Sequence, residues 1–321
     1  VWISQSSAVQ RRGRAGRVRA GRVLRLYSRD QLQAFPEQPS PEMQRCDLAQ
    51  SCLQAVALGR DPRKFLADAI DAPSVNAVEM AMDQLAAIKA IRLDEDPEVC
   101  PVLLVVGEVL ARLPLEPLLG RAAMLGCILE VPEAGAALLV AAGGRSPFVG
   151  SRGELVEAQK AFCSWSDPLA AAKAMAEWEA LSEATEDWAA ARRLSASRLS
   201  GLVRDKAYLL RDLRRAGLLR GSEGAAAESA EVLETRGELE ETLLEVEQEE
   251  DSSGDKAPTS DALLATMLCS AYPANIAKLD RNSFHLSTHS TTVMSPASVN
   301  SGGGSEHPWW LYGDVQATGN R

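Results

Sequence analysis

The sequence predicts a mainly α, multidomain protein, and three observations carry that expectation. Aromatic residues make up only 5% of the 321 residues while 46% are hydrophobic. Cores of that composition are aliphatic and alanine-rich, which suits packed helices. Between Pro41 and Arg220, apolar residues recur at helical spacing and are punctuated by prolines and glycines. An acidic tract then separates this helical region from a closing part made of short β-type runs. The length allows two or more packed domains.

Taken in order, residues 1–38 read as turn, helix start, strand and short helix, the last pieces of an α/β domain. Gly21–Ser28 (GRVLRLYS) sets Val23, Leu24, Leu26 and Tyr27 among arginines and reads as the strand. Ser40-Pro41-Glu42 is a helix opening: a capping serine, proline at the first helical position and an acid near the positive end of the dipole. That helix is expected to run to about Leu58 and stop at Gly59. Ser74 caps a second helix, on which Val78, Met82 and Leu85 fall at i, i+4 and i+7 along one core face. Pro101–Val106 (PVLLVV) has strand composition. From Leu113 to about Arg220, helices interrupted at Pro117, Pro132, Gly143-Gly144 and Pro147 predict a bundle, with Trp165, Trp178 and Trp188 as core anchors. Its last helix, Leu199–Leu219, comes with Arg198, Arg204, Lys206, Arg211, Arg214 and Arg215. These charges read first as a solvated face and second as a set of phosphate contacts. Gly221–Pro258 reads as disordered or as one short amphipathic helix through Leu239, Leu243 and Val246, and the β-type runs beyond it suggest a small β-barrel.

The charge distribution narrows the function classes. The chain carries a net −10, but Gly221–Pro258 holds thirteen acids against Arg236 and Lys256. Without that tract the chain is near neutral, with its positive charge concentrated at the N-terminal end. Nucleic-acid binding needs such a local basic track and not a basic whole. No apolar run is long enough to span a membrane, and no signal peptide opens the chain. Cys46, Cys52, Cys100, Cys127, Cys163 and Cys269 are scattered with no C-x-x-C, as reduced core thiols of an intracellular protein are. The cytoplasm is preferred over the nucleus. His285-x-x-x-His289 lacks flanking ligands, so no metal site is expected.

Eight arginines lie among the first twenty-nine residues with no acid between them, and the densest stretch is Gln10–Arg17 (QRRGRAGR). Guanidinium forks suit phosphate, Gly13 and Gly16 let a ligand approach the backbone, and Gln10 can donate and accept at once. A basic surface run or import tract is the alternative reading.

These residues resemble the sixth conserved motif of superfamily 2 helicases in its DEAH/RHA form, Gln-Arg-x-Gly-Arg-x-Gly-Arg, met by Gln10, Arg11, Gly13, Arg14, Gly16 and Arg17. Further stretches resemble later parts of the same family: PEMQRCDLAQSCLQAVALG (Pro41–Gly59), GEVLARLPLEPLLGRAAMLGCILE (Gly107–Glu130), SDPLAAAKAMAEW (Ser166–Trp178) and SAYPANIAKL (Ser270–Leu279). The resemblance implies the C-terminal part of an ATP-dependent RNA helicase. It divides the chain into the end of a second RecA-like domain (1–38), a winged helix (39–112), a helical ratchet domain (113–220), an acidic disordered linker (221–258) and an incomplete OB-like domain (259–321). Departures are Gln5 where the family has lysine, Leu104-Val105-Val106 where it has Thr-Pro-Leu, and Ser295-Pro296-Ala297-Ser298 where it has His-Pro-Ser-Ser.

The resemblance also implies roles. Gln10 would orient the attacking water, Arg14 and Arg17 would reach the γ-phosphate as arginine fingers, and Arg11 would join the nucleotide site while holding the motif in shape. Arg198, Arg204 and Lys278 are the candidate RNA contacts. The cofactor would be ATP with Mg2+, whose ligands lie outside this chain. The sequence has neither G-x-x-x-x-G-K-[ST] nor Asp-Glu-x-His, and DEDP (Asp94–Pro97) reads as a turn. The chain begins inside a motif block without methionine, so it is expected to be a piece of a longer enzyme and inactive alone. Expected partners are single-stranded or structured RNA, read with low sequence specificity, and a protein activator docking on the winged-helix or ratchet domain; no membrane is expected. The alternative is a non-catalytic RNA-binding or scaffold protein that retains only these domains.

Overall fold

The computed structural model describes residues 3–96, 98–181, 183, 185–219, 260–273, 275–280, 283–286, 291–300 and 308–312. The described residues are mainly α-helical with small antiparallel sheets. Contacts divide the chain into two compact units, Val1–Gln84 and Leu85–Arg321.

The first unit contains α1 (Gln5–Arg12), α2 (Arg29–Ala34), a short 3-10 turn (Glu42–Gln44), α3 (Ala49–Ala57), α4 (Pro62–Ala67) and most of α5 (Val75–Ala87). Gly21–Ser28 forms no strand: it is an exposed irregular segment, with Leu24 89% and Leu26 99% exposed. Alternation supplies a strand's side-chain pattern, but the strand exists only where a neighbour pairs its backbone, and no described residue does so here. The helix expected from Pro41 also starts later. Glu42–Gln44 makes only a single 3-10 turn without a side-chain cap, and the α-helix begins at Ala49, whose N–H donates to Asp47 Oδ1 at 2.7 Å. Asp47, not Ser40, supplies the side-chain acceptor at that opening. The helix gives way near Leu58 and Gly59, as expected. Ser74 does cap α5, accepting from Ala77 N at 3.2 Å, and Val78 and Met82 are buried. Arg63 on α4 donates through Nε to Glu79 Oε1 at 2.7 Å on α5.

The second unit opens with the last turn of α5, where Leu85 is buried, and a two-stranded sheet, β1 (Ile91–Arg92) antiparallel to β2 (Val102–Leu103). The run Pro101–Val106 is thus part strand and part helix. Leu104 ends the hairpin by donating to the Ala90 carbonyl at 3.0 Å and is also the N-cap of α6 (Val105–Arg112). Gly107 lies directly under that carbonyl, in space with no room for a side chain: a Cβ there would sit 2.1 Å from Ala90 O.

A helical assembly follows: α7 (Pro117–Ile128), α8 (Pro132–Gly143), α9 (Arg152–Lys160), α10 (Asp167–Ala180), α11 (Glu186–Ala191) and α12 (Ala196–Arg215). Proline begins α7 and α8, where its missing N–H costs nothing. Helix α8 is central, packing against α7, α10 and α12. Helix α12 turns Leu199, Leu202, Leu209, Leu210 and Leu213 inward. Of the three expected anchors, Trp178 is buried and Trp188 half-buried, their rings 5.8 Å apart, whereas Trp165 is 48% exposed. Trp165 precedes the Ser166 cap of α10 instead of lying within a helical core face.

After the acidic tract, which lies outside the described residues, α13 (Ser260–Ala271) packs on α7 and α8. Met267 fills a notch between Gly126 and Gly135, where alanine Cβ atoms would lie 2.7 and 2.6 Å from its Cε. Lys173 pairs with Asp261 at 2.6 Å and Arg121 donates to Ser270 Oγ at 3.2 Å. Beyond α13, β3 (Ile276–Asp280), β4 (Ser283–Leu286), β5 (Thr291–Thr292) and β6 (Trp309–Leu311) form an antiparallel sheet in the order β5-β4-β3-β6. Ala277, Phe284 and Leu286 make its core, with Trp310 packed against them.

Candidate functional site

The arginine stretch is positioned by one short helix. Ser4 caps α1, accepting from Ser7 N at 3.1 Å. The first backbone amides of α1 donate to the chain just after α2: Gln5 N to Pro36 O at 2.9 Å and Ser6 N to Glu37 O at 3.0 Å. The Gln5 carboxamide adds a bond to Phe35 O at 2.9 Å. Glutamine thus performs a structural task at the position where the sequence departs from lysine. Phe35 is buried and meets the Tyr27 ring edge-on at 5.1 Å. The N-terminal end of α1 is therefore braced, and its opposite end presents the charge.

Gln10 and Arg11 lie in the closing turns of α1, with Arg11 and Arg12 at the negative end of the helix dipole, where cations are favoured. The chain then turns through Gly13–Gly16, and Gly16 takes φ +82, a conformation that glycine adopts without strain. Gly21 returns so close to this turn that a Cβ on it would be 3.0 Å from Gly16 N. The two glycines pinch a loop from which Arg17 and Arg19 project. Gln10, Arg11, Arg14 and Arg17 are all exposed. Among the described residues no carboxylate pairs with any arginine from Arg11 to Arg25. The motif residues thus stand exposed at and just beyond the end of α1, with no carboxylate to compensate their charge among the described residues.

The other candidates separate. Arg198 is committed to the backbone, its Nη1 donating to Ser146 O at 3.0 Å and Phe148 O at 3.4 Å. Arg204 is exposed on α12. Lys206 belongs to neither a solvated face nor a phosphate track. Its side chain is 12% exposed and its ammonium bridges Glu179 at 2.8 Å and Glu133 at 3.0 Å, tying α12 to α10 and α8. Burial opposes its charge, but the hydrogen bonds to Glu179 and Glu133 prevail and raise its pKa above the ordinary lysine value. Lys278 is exposed on β3, its Nζ 5.5 Å from the Trp309 ring centroid. Of the expected histidine pair, His285 is on β4 and His289 lies outside the described residues. Sequence reading missed a cleft of about 540 Å³ bordered by Glu157, Phe162, Glu177 and Arg192, because its walls come from separate helices. No described helix is long and apolar enough to cross a membrane.

No family model matches the chain. Individual proteins do. The chain is 36% identical over 187 residues to the ATP-dependent RNA helicase dhx29 of Xenopus laevis, a match covering 56% of this chain and 13% of that protein. It is 38% identical over 179 residues to the DExH-box ATP-dependent RNA helicase DExH1 of Arabidopsis thaliana, covering 54% and 17%. It is 35% identical over 163 residues to ATP-dependent RNA helicase DHX29 of Homo sapiens, covering 50% and 12%. The matches span less than a fifth of each of these relatives.

Proposed function

On the premise that this chain is homologous to the DExH-box ATP-dependent RNA helicases over about half its length, we propose that it is the C-terminal portion of such an enzyme, coupling ATP hydrolysis to movement along or remodelling of structured RNA. In this reading residues 1–38 close a second RecA-like domain, 39–112 form the winged helix, 113–220 the ratchet domain and 259–321 an OB-like domain. The observation that carries the proposal is the exposed, uncompensated positive charge at and just beyond the end of α1, bearing the full Gln-Arg-x-Gly-Arg-x-Gly-Arg pattern.

Phosphoryl transfer to water requires a phosphate cradle, a metal ion, an oriented water and positive charge at the γ-phosphate. This chain's residues fit the last two. Gln10 holds the water, Arg14 and Arg17 meet the charge that develops on the γ-phosphate, and Arg11 supports the loop. They do not fit Mg2+: residues 1–29 contain no carboxylate, and no group of three metal-binding side chains occurs among the described residues. The magnesium ligands and the phosphate cradle belong to another part of the enzyme. RNA passing along the helical and OB-like domains is held through its backbone, with little sequence preference.

In the complete enzyme, Arg14→Ala and Arg17→Ala should each lower RNA-stimulated ATP turnover by about 10³–10⁵ in kcat, the usual contribution of an arginine finger. RNA affinity without nucleotide should hardly change. Normal turnover in both variants would remove the assignment. Purification of the full native protein without any ATPase partner domain would favour a scaffold instead.

A further inference from the structure

Three side chains from three strands fall in one row across the sheet of the second unit. Lys278 on β3 is registered opposite His285 on β4 and opposite Trp309 on β6. Residues in register share a face of the sheet, and alternate residues face opposite sides. One face carries the buried Ala277, Phe284 and Leu286, with Trp310 packed against them. The row is on the other: Trp309 is 60% exposed, the His285 side chain 50%, and Lys278 is exposed as well.

The arrangement is specific in kind and spacing. Trp309 leaves most of its surface in water. Here it is in cation–π contact with Lys278, whose ammonium lies 5.5 Å from the ring centroid. With strands about 4.8 Å apart, Trp309 and His285 stand about 10 Å from each other across β3, which carries Lys278 between them with its ammonium on the Trp309 side. Ring, cation, ring is the alternation that a single strand offers in complement: base, phosphate, base. Asp280, two residues along β3 from Lys278, sets its carboxylate 3.8 Å from His285 Nε2.

We propose that this row is a stacking platform for single-stranded nucleic acid, with bases on Trp309 and His285 and the phosphate between them on Lys278. The proposal rests on the RNA reading above and adds Trp309 and His285 to it. Stacking tolerates any base, because every base has a π-face, and the lysine contact is blind to sequence.

The test is equilibrium binding of the full chain to a labelled oligouridylate of about twelve nucleotides, within the usual span of a single-strand site, and to an abasic strand of equal length, each over a salt series. Trp309→Ala should weaken oligouridylate binding about 5- to 150-fold, the range of one lost stacking contact, and leave the abasic strand nearly unaffected. Trp309→Phe should restore most of the loss, and His285→Ala should act in the same direction as Trp309→Ala. Lys278→Ala should weaken both strands and flatten the salt slope by about 0.7. Unchanged melting temperatures would show that the variants fold. Wild-type affinity for oligouridylate in both Trp309→Ala and His285→Ala overturns the platform and leaves the RNA reading standing. A wild-type chain that binds no RNA overturns both. Loss of self-association in Trp309→Ala with RNA affinity intact assigns the face to a protein contact and overturns the proposal.

Discussion

Replacing Gly107 with alanine sets one methyl group against the backbone of the β1–β2 hairpin. The new Cβ would lie 2.1 Å from the Ala90 carbonyl oxygen and 2.8 Å from Leu103 Cδ1. The leucine tip can rotate away, but the carbonyl cannot: it accepts the Leu104 amide at 3.0 Å, and Ala90 and Ile91 are buried around it. A normal contact requires a shift of about 1 Å between α6 and the hairpin. Overpacking against backbone belongs at the upper end of its range, about 3 kcal/mol. The strained hydrogen bond costs about 1 kcal/mol more, while alanine's better helix propensity returns about 1 kcal/mol. The net loss is about 3 kcal/mol, or a fall of about 6–12 °C in the melting temperature of a unit this size. Gly201→Ala provides the control within the same unit. Gly201 is inside α12 with nothing within 4 Å of its Cβ position, so alanine should raise stability by about 1 kcal/mol. Scanning calorimetry of both variants reads the difference directly. If Gly107→Ala melts no lower than wild type, or no lower than Gly201→Ala, the close approach of α6 to Ala90 is wrong.

Two further outcomes follow from charge and burial. Lys206 has a raised pKa when folded, so its ion pairs contribute in full below the unfolded lysine value of about 10.4 and are lost as pH rises through the folded value. Wild type should therefore lose more stability than Lys206→Met between about pH 9 and 12. Tyr272, its pKa raised by burial and then by Glu116, is common to both proteins, so the difference between their urea midpoints is the measure; parallel curves would refute the bridge. In thiol labelling of the native chain, exposed Cys46, Cys100 and Cys269 should react first, while buried Cys127 and Cys163 wait for unfolding. Cys52 should be slowest, since burial, then Asp47 and Glu79, push its pKa up to about 11; rapid labelling of Cys52 at neutral pH would contradict the packing of α3.

What the sequence made legible was whatever depends on residue identity or local spacing. The cap at Ser74 and the stripe through Val78, Met82 and Leu85 are local, and the structure has them. The prolines that open α7 and α8 are local too. The arginine motif is legible as a pattern of identities, and the structure leaves those residues exposed at and beyond the end of α1. Errors arose where the outcome depends on something distant. Gly21–Ser28 alternates like a strand but pairs with no described backbone. Pro41 and Glu42 announce a helix, but the α-helix opens only at Ala49, where Asp47 accepts from the first amide. A row of basic residues on α12 cannot reveal that Lys206 meets acids from two other helices and that Arg198 serves two carbonyls. The company of Lys278 was equally hidden, because only strand register brings His285 and Trp309 beside it.

The notch that receives Met267 bears on the acidic tract that precedes α13. A thioether seated between Gly126 and Gly135 fits in one position only, since a slide of one helical turn would press it against residues that carry Cβ atoms. The address of α13 is written in α7 and α8, not measured out along the chain that leads to it. Between Arg215 and Ser260 the number of residues is therefore free to drift. A chain with a longer or shorter tract should seat the same helix in the same notch.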